Sequence, residues 1–87
     1  MRRCLIAYDV ADSPARNAMA ALLAKMGTRV QKSVFLVEQT DAVLETMERE
    51  LQKWLGPSDS LLIAPLCETC FRKAVFFGKV APLLVVT

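Results

Sequence analysis

The chain opens on a short apolar run, Cys4-Leu5-Ile6-Ala7-Tyr8, that ends on a carboxylate, Asp9. A run of this length before a turn predicts a buried strand that delivers Asp9 at its carboxyl end. Ser13 as cap and Pro14 at the first helical position predict a helix over residues 14–26. On that helix Met19, Leu22, Leu23 and Met26 fall on one face, which marks them as core, and Gly27 is a fitting terminator. Residues 28–39 are rich in β-formers, but Val30 and Ser33 cannot share a face at period two. Two short strands with a bulge or bend near Ser33 are therefore expected.

Thr40 predicts the cap of a second helix, with Asp41 in its first turn, where a negative charge suits the dipole. Val43, Leu44, Met47, Leu51, Trp54 and Leu55 form its expected apolar stripe, and Glu45 and Arg49 an i,i+4 pair. Gly56-Pro57 stops it. A strand over 60–64, a short turn or helical piece over 67–73 and a strand over 74–77 follow. Gly78 and Pro82 break the chain before a last apolar strand over 83–86. The order β-α-β-β-α-β predicts an α+β, ferredoxin-like βαββαβ sandwich in one domain, residues 1–87. The strand-forming tail, 78–87, has no place in a four-stranded sheet, and pairing with a neighbouring subunit would bury it.

Composition sharpens this. Of 87 residues, 54% are hydrophobic, and the mean hydropathy is +0.34. No apolar run reaches the roughly 18 residues that a membrane span needs. The basic start, Arg2-Arg3, is followed by too short an apolar stretch and no small-residue cleavage site, unlike a secretory signal. A small, greasy cytoplasmic chain most simply hides its surplus surface in a homo-oligomer. The net charge is only +2, but it is unevenly spread. Arg2, Arg3, Arg16, Lys25, Arg29 and Lys32 stand against Asp9 and Asp12 in the first 37 residues, while residues 38–59 reverse this, with Glu38, Asp41, Glu45, Glu48, Glu50 and Asp59 against Arg49 and Lys53. A polyanion would meet the first third and avoid the middle.

The sequence contains no histidine. Ser-His-Asp and Cys-His nucleophilic sites, histidine acid–base chemistry and every His-containing zinc site are thereby excluded. Hydrolysis would need a carboxylate or a metal-bound water. Asp9 is the candidate: a carboxylate at a strand end either caps the turn or pairs with Arg16, or it binds a metal. One carboxylate is a poor magnesium site, but a two-fold axis near Asp9 would supply a second. Arg16, in the first helical turn, is disfavoured there by the dipole and suits either a phosphate or a salt bridge to Asp12. Arg29 and Lys32 read as phosphate-backbone contacts, and Phe35 either stacks on a base or fills core. Cys67-Glu68-Thr69-Cys70 admits a redox or zinc reading, with buried structural thiols as the default, and Cys4 is core.

Tyr8-Asp9-Val10 with Arg16-Asn17, the run Gly27-Thr28-Arg29-Val30-Gln31-Lys32-Ser33-Val34-Phe35, and Pro65-Leu66-Cys67-Glu68-Thr69-Cys70 resemble, in order and over nearly the whole chain, CRISPR-associated protein 2. The resemblance implies a ferredoxin-like homodimer in which Asp9 faces its two-fold mate across a divalent metal, magnesium or manganese. It implies a metal-dependent endonuclease acting on RNA or DNA, with Asp9 catalytic. It also implies a central dimer that holds duplex DNA between dimers of CRISPR-associated protein 1, the spacer integrase. Tyr8, Arg16, Arg29, Lys32, Ser33 and Phe35 are the positions around the nucleic-acid site. One departure is Leu36, where a glutamate often stands in this family.

Overall fold

The computed structural model describes residues 1–75 and 77–78. Its elements are β1 (Arg2–Asp9), α1 (Ser13–Met26), β2 (Gly27–Gln31), β3 (Val34–Gln39), α2 (Asp41–Gln52), β4 (Ser60–Leu66) and α3 (Glu68–Lys73). The four strands form one antiparallel sheet in the order β2-β3-β1-β4, with β1 and β3 central. This is the split βαββαβ arrangement expected from the sequence, with a short helix added after β4. Among the described residues no helix is long and apolar enough to cross a membrane.

Alternation along β1 decides the layering. Cys4, Ile6 and Tyr8 are buried, while the odd positions are half-buried or exposed. The buried row meets Phe35 and Val37 of β3, and Met19, Leu23, Leu44, Met47 and Leu51 of the helices close the same core. Both helices therefore cover one face of the sheet. Gly27 leads directly from α1 into β2, opposite Val37. A Cβ there would run into the Leu36 carbonyl oxygen and lie 2.9 Å from Val37 Cα, so the close strand approach requires glycine. At the other edge Pro65 is tolerated in β4, because an edge strand can spare one ladder donor.

The opposite face of the sheet is apolar as well. The register aligns Leu5 with Leu36 and Ala64, and Ala7 with Val34 and Leu62. Leu62 is 58% exposed. A sheet face turned to water normally alternates to polar residues, and this one does not.

Several expectations are corrected. The cap of α1 is Asp12, one residue earlier than expected: its carboxylate accepts from Ala15 N at 2.9 Å, while Ser13 Oγ accepts from Arg16. The two short strands and the bend near Ser33 are as expected, the bend being the hairpin turn at Lys32-Ser33, while the bulge falls earlier, between Arg29 and Gln31. Trp54 leaves the stripe of α2, because the helix ends at Gln52, and it is 45% exposed. Among the described residues the ion pair on α2 is Glu50–Lys53, not Glu45–Arg49. Among the described residues Ala74, Val75 and Phe77 form no strand, and none of the four sheet strands pairs with them. Phe76 and the expected last strand, 83–86, lie outside the described residues.

Candidate functional site

Three segments meet where β1 ends. Antiparallel pairing of β1 with β3 sets Ala7 opposite Val34, so the hairpin turn lies beside the next residue, and Tyr8 N donates to the Ser33 carbonyl at 3.1 Å. On the other side Asp9 is in register with Ser60, which puts Asp59 next to the loop that follows Asp9. Pro14 and the Asp12 cap start α1 at once, so Arg16 is delivered to the same end. Asp9, Arg16, Arg29, Lys32, Ser33 and Asp59 are thus brought together at one end of the sheet. They come from four separate stretches of sequence.

Asp9 is exposed. It shares the parity of Leu5 and Ala7 along β1 and so continues the row on the apolar face opposite the helices α1 and α2. Among the described residues it forms no ion pair, and Arg16 pairs with neither Asp9 nor Asp12. Arg16 instead donates Nη1 to the Val10 carbonyl at 3.2 Å and Nη2 to Ser13 Oγ at 3.0 Å. These contacts leave its charge without an acidic partner and brace the Asp9 loop. Arg29 likewise donates Nε and Nη2 to the Lys32 carbonyl, at 3.2 and 2.6 Å, which closes the hairpin turn.

Tyr8 and Phe35 belong to the core rather than the surface. Phe35 is 1% exposed and Tyr8 is 6% exposed. Their rings stack with centroids 6.4 Å apart, and the Arg29 guanidinium covers the Phe35 ring at 5.3 Å. Neither ring offers a face on which a base can stack in this conformation, so core filling is the role the packing gives them. Tyr8 Oη is buried without a hydrogen-bond partner among the described residues.

Asp59 escaped the sequence reading. Its Oδ1 accepts from Ala11 N at 3.1 Å and its Oδ2 from Gly56 N at 2.7 Å, so one carboxylate clasps the loop after Asp9 to the loop before β4. The signal was present in Gly56-Pro57-Ser58-Asp59, where an aspartate at the end of a turn typically binds nearby backbone amides. The segments 9–16, 29–33 and 56–60 together carry Arg16, Arg29 and Lys32 against Asp9, Asp12 and Asp59, three charges of each sign.

As a metal site, one protomer falls short. Among the described residues no group of three or more acidic or thiol side chains converges. Asp59 and Asp12 are spent on backbone amides, which leaves Asp9 as the one carboxylate around the end of β1 free to ligate. A hard divalent ion at Asp9 would draw its remaining ligands from water, phosphate or a further carboxylate.

At the other end of the sheet the charges are paired. Arg2 meets Asp41 at 3.3 Å, and Arg3 bridges Glu38 and Glu68 while lying 4.3 Å from the Phe71 ring centre. Cys4 is buried, and burial pushes its thiol up. Cys67 and Cys70 are both exposed, which corrects the expectation of buried structural thiols. They sit just past β4, Cys67 as the cap of α3 and Cys70 within it.

Known proteins share this architecture. The structure of a hypothetical protein from Thermus thermophilus superimposes with a TM-score of 0.79 and 31% identity, covering 92% of this chain and 94% of that one. The crystal structure of Streptococcus pyogenes Cas2 at pH 6.5 gives 0.76 and 28% identity, over 87% of this chain and 99% of that one. The Korarchaeum cryptofilum protein named CRISPR-associated endoribonuclease Cas2 is 38% identical over 79 residues, 88% of this chain and 85% of its own length. The family model of CRISPR associated protein Cas2 matches residues 1–74. That match runs from the first strand through α3, and the chain belongs to the CRISPR-associated protein Cas2 family.

Proposed function

We propose that the chain works in CRISPR adaptation as a homodimeric, metal-dependent endonuclease that also grips nucleic acid for the spacer integrase. One observation carries the reading: Asp9 is an exposed carboxylate, without an ion-pair partner among the described residues, on the rim of an apolar sheet face that neither α1 nor α2 covers. A second copy packed on that face through Leu5, Leu36 and Leu62 would bring a second Asp9 to the same rim. The two carboxylates would hold a magnesium or manganese ion, which polarises a phosphate and lowers the pKa of bound water. Arg16, Arg29 and Lys32 neutralise phosphate oxygens, and Ser33 orients the substrate beside Asp9. Tyr8 and Phe35 serve the site from beneath, by fixing the strand ends that carry Asp9 and Ser33. The endoribonuclease names of relatives support the chemistry.

The test is cleavage of RNA, single-stranded DNA and duplex DNA by wild type and Asp9→Asn, with and without magnesium. Loss of a metal ligand is expected to cost about 100-fold or more in rate. Equal cleavage by the variant, with the same magnesium dependence, overturns the catalytic assignment.

A second reading keeps the dimer and removes the chemistry: a scaffold that holds duplex DNA and docks CRISPR-associated protein 1. It is favoured by the three cations of the site, none of which has an acidic partner among the described residues. Reversing Arg16 and Arg29 to glutamate is expected to weaken DNA binding and to reduce the salt-dependence slope by about two. Spacer acquisition by Asp9→Asn separates the two readings, because only the scaffold survives that substitution.

A further inference from the structure

The thiols Cys67 and Cys70 are used by neither reading of the site, and they lie at the end of the molecule opposite Asp9. They are exposed, whereas the third cysteine, Cys4, is buried among core side chains. The Cys67 sulfur accepts the Cys70 backbone N–H at 3.3 Å. Cys67 caps α3 and Cys70 lies in its first turn, so the two residues, three apart, lie on the same side of the helix start. Glu68, between them in sequence, is committed to Arg3 and Arg72, so its charge is balanced and does not oppose an anion on sulfur.

We propose that Cys67 and Cys70 form a thiol–disulfide exchange site whose substrate is the disulfide of a small thiol such as oxidised glutathione. Cys67 is the attacking sulfur and Cys70 the resolving one. The Cys67 thiolate attacks one sulfur of the small disulfide, its S–S bond breaks, and one thiol leaves with a proton. The Cys70 thiol then loses its proton and attacks Cys67 Sγ, and the mixed disulfide breaks to release the second thiol. The protein dithiol is oxidised by two electrons and the small disulfide is reduced to two thiols, so atoms and electrons balance.

The asymmetry between the two sulfurs follows from their contacts. Donors from the Cys70 backbone and side chain hold the Cys67 thiol below its ordinary value, and the same side-chain bond holds the proton on Cys70 and raises it. The lower-pKa, exposed sulfur is the better nucleophile near neutrality. Two thiols are half of a tetrahedral metal set, and among the described residues no third ligand joins them. Covalent exchange suits the pair better than a metal does.

The test treats the full-length native protein with oxidised glutathione and reads modification by mass spectrometry, then reverses it with dithiothreitol. Wild type is expected to lose two hydrogens, located to the peptide containing both cysteines, and to retain no glutathione. Cys70→Ser is expected to stop at a stable glutathione adduct on Cys67, and Cys67→Ser to form almost none. Serine at position 67 keeps a capping oxygen, so that variant tests reactivity rather than folding. Three results overturn the proposal: thiols that react only after unfolding, equal adducts on both variants, or zinc retained by the purified protein that shields both sulfurs.

Discussion

At the scale of single residues, burial and hydrogen bonding separate side chains that look alike in sequence. Arg2 and Arg3 are as basic as Arg16 and Arg29, but only the latter two lack acidic partners among the described residues. Tyr8 stands next to Asp9 and yet turns inward, with a hydroxyl that finds no acceptor or donor among the described residues. Such a group carries a desolvation cost of about 1–3 kcal/mol. Tyr8→Phe is therefore expected to raise stability by about 1 kcal/mol, measured by denaturant unfolding. The same variant is expected to bind nucleic acid as wild type does. A clear loss of affinity would mean that the hydroxyl reaches the substrate after all.

At the scale of elements, α3 depends on a charge. Arg3 donates to the Glu68 carboxylate and holds it below the usual carboxylate range, with Arg72 adding to the effect. A carboxyl lowered in the folded state contributes stability that is complete above the ordinary range and is lost as pH falls through the lowered value. Acidification is thus expected to free α3 from the sheet before the core unfolds, seen as faster amide exchange over residues 68–73. Glu68→Gln is expected to exchange at the fast rate even at neutral pH. The two long helices and the four strands of the sheet were legible in the sequence, because apolar residues recur at helical spacing, β-formers cluster between them, and Thr40 and Gly27 mark ends. The strand expected over 74–77 was not found among the described residues. What stayed hidden is telling. The cap of α1 went to Asp12 because Asp12 and Ser13 are adjacent oxygens, and only the backbone path decides which one reaches Ala15 N. Asp59 was invisible as a partner of Ala11, since a contact across 48 residues leaves no local pattern. The exposure of Cys67 depended on how far β4 runs, and no periodicity reports that.

At the scale of the whole molecule, the apolar sheet face opposite α1 and α2 argues for company. Leu5, Leu36 and Leu62 occupy positions where a solvated sheet places polar residues. Leu36→Glu is expected to turn the dimer into monomers in sedimentation experiments, with the fold intact by circular dichroism. Dimers that persist at micromolar concentration would show that a different surface joins the copies. The ring of three cations and three carboxylates around Asp9 has one more consequence. Taken alone it is electrically balanced, so its net field draws a polyanion less than its three cations would by themselves. A divalent ion placed there would leave the balance positive, so metal and nucleic acid would each tighten the other's hold by the same factor, a thermodynamic reciprocity that needs no movement of the backbone.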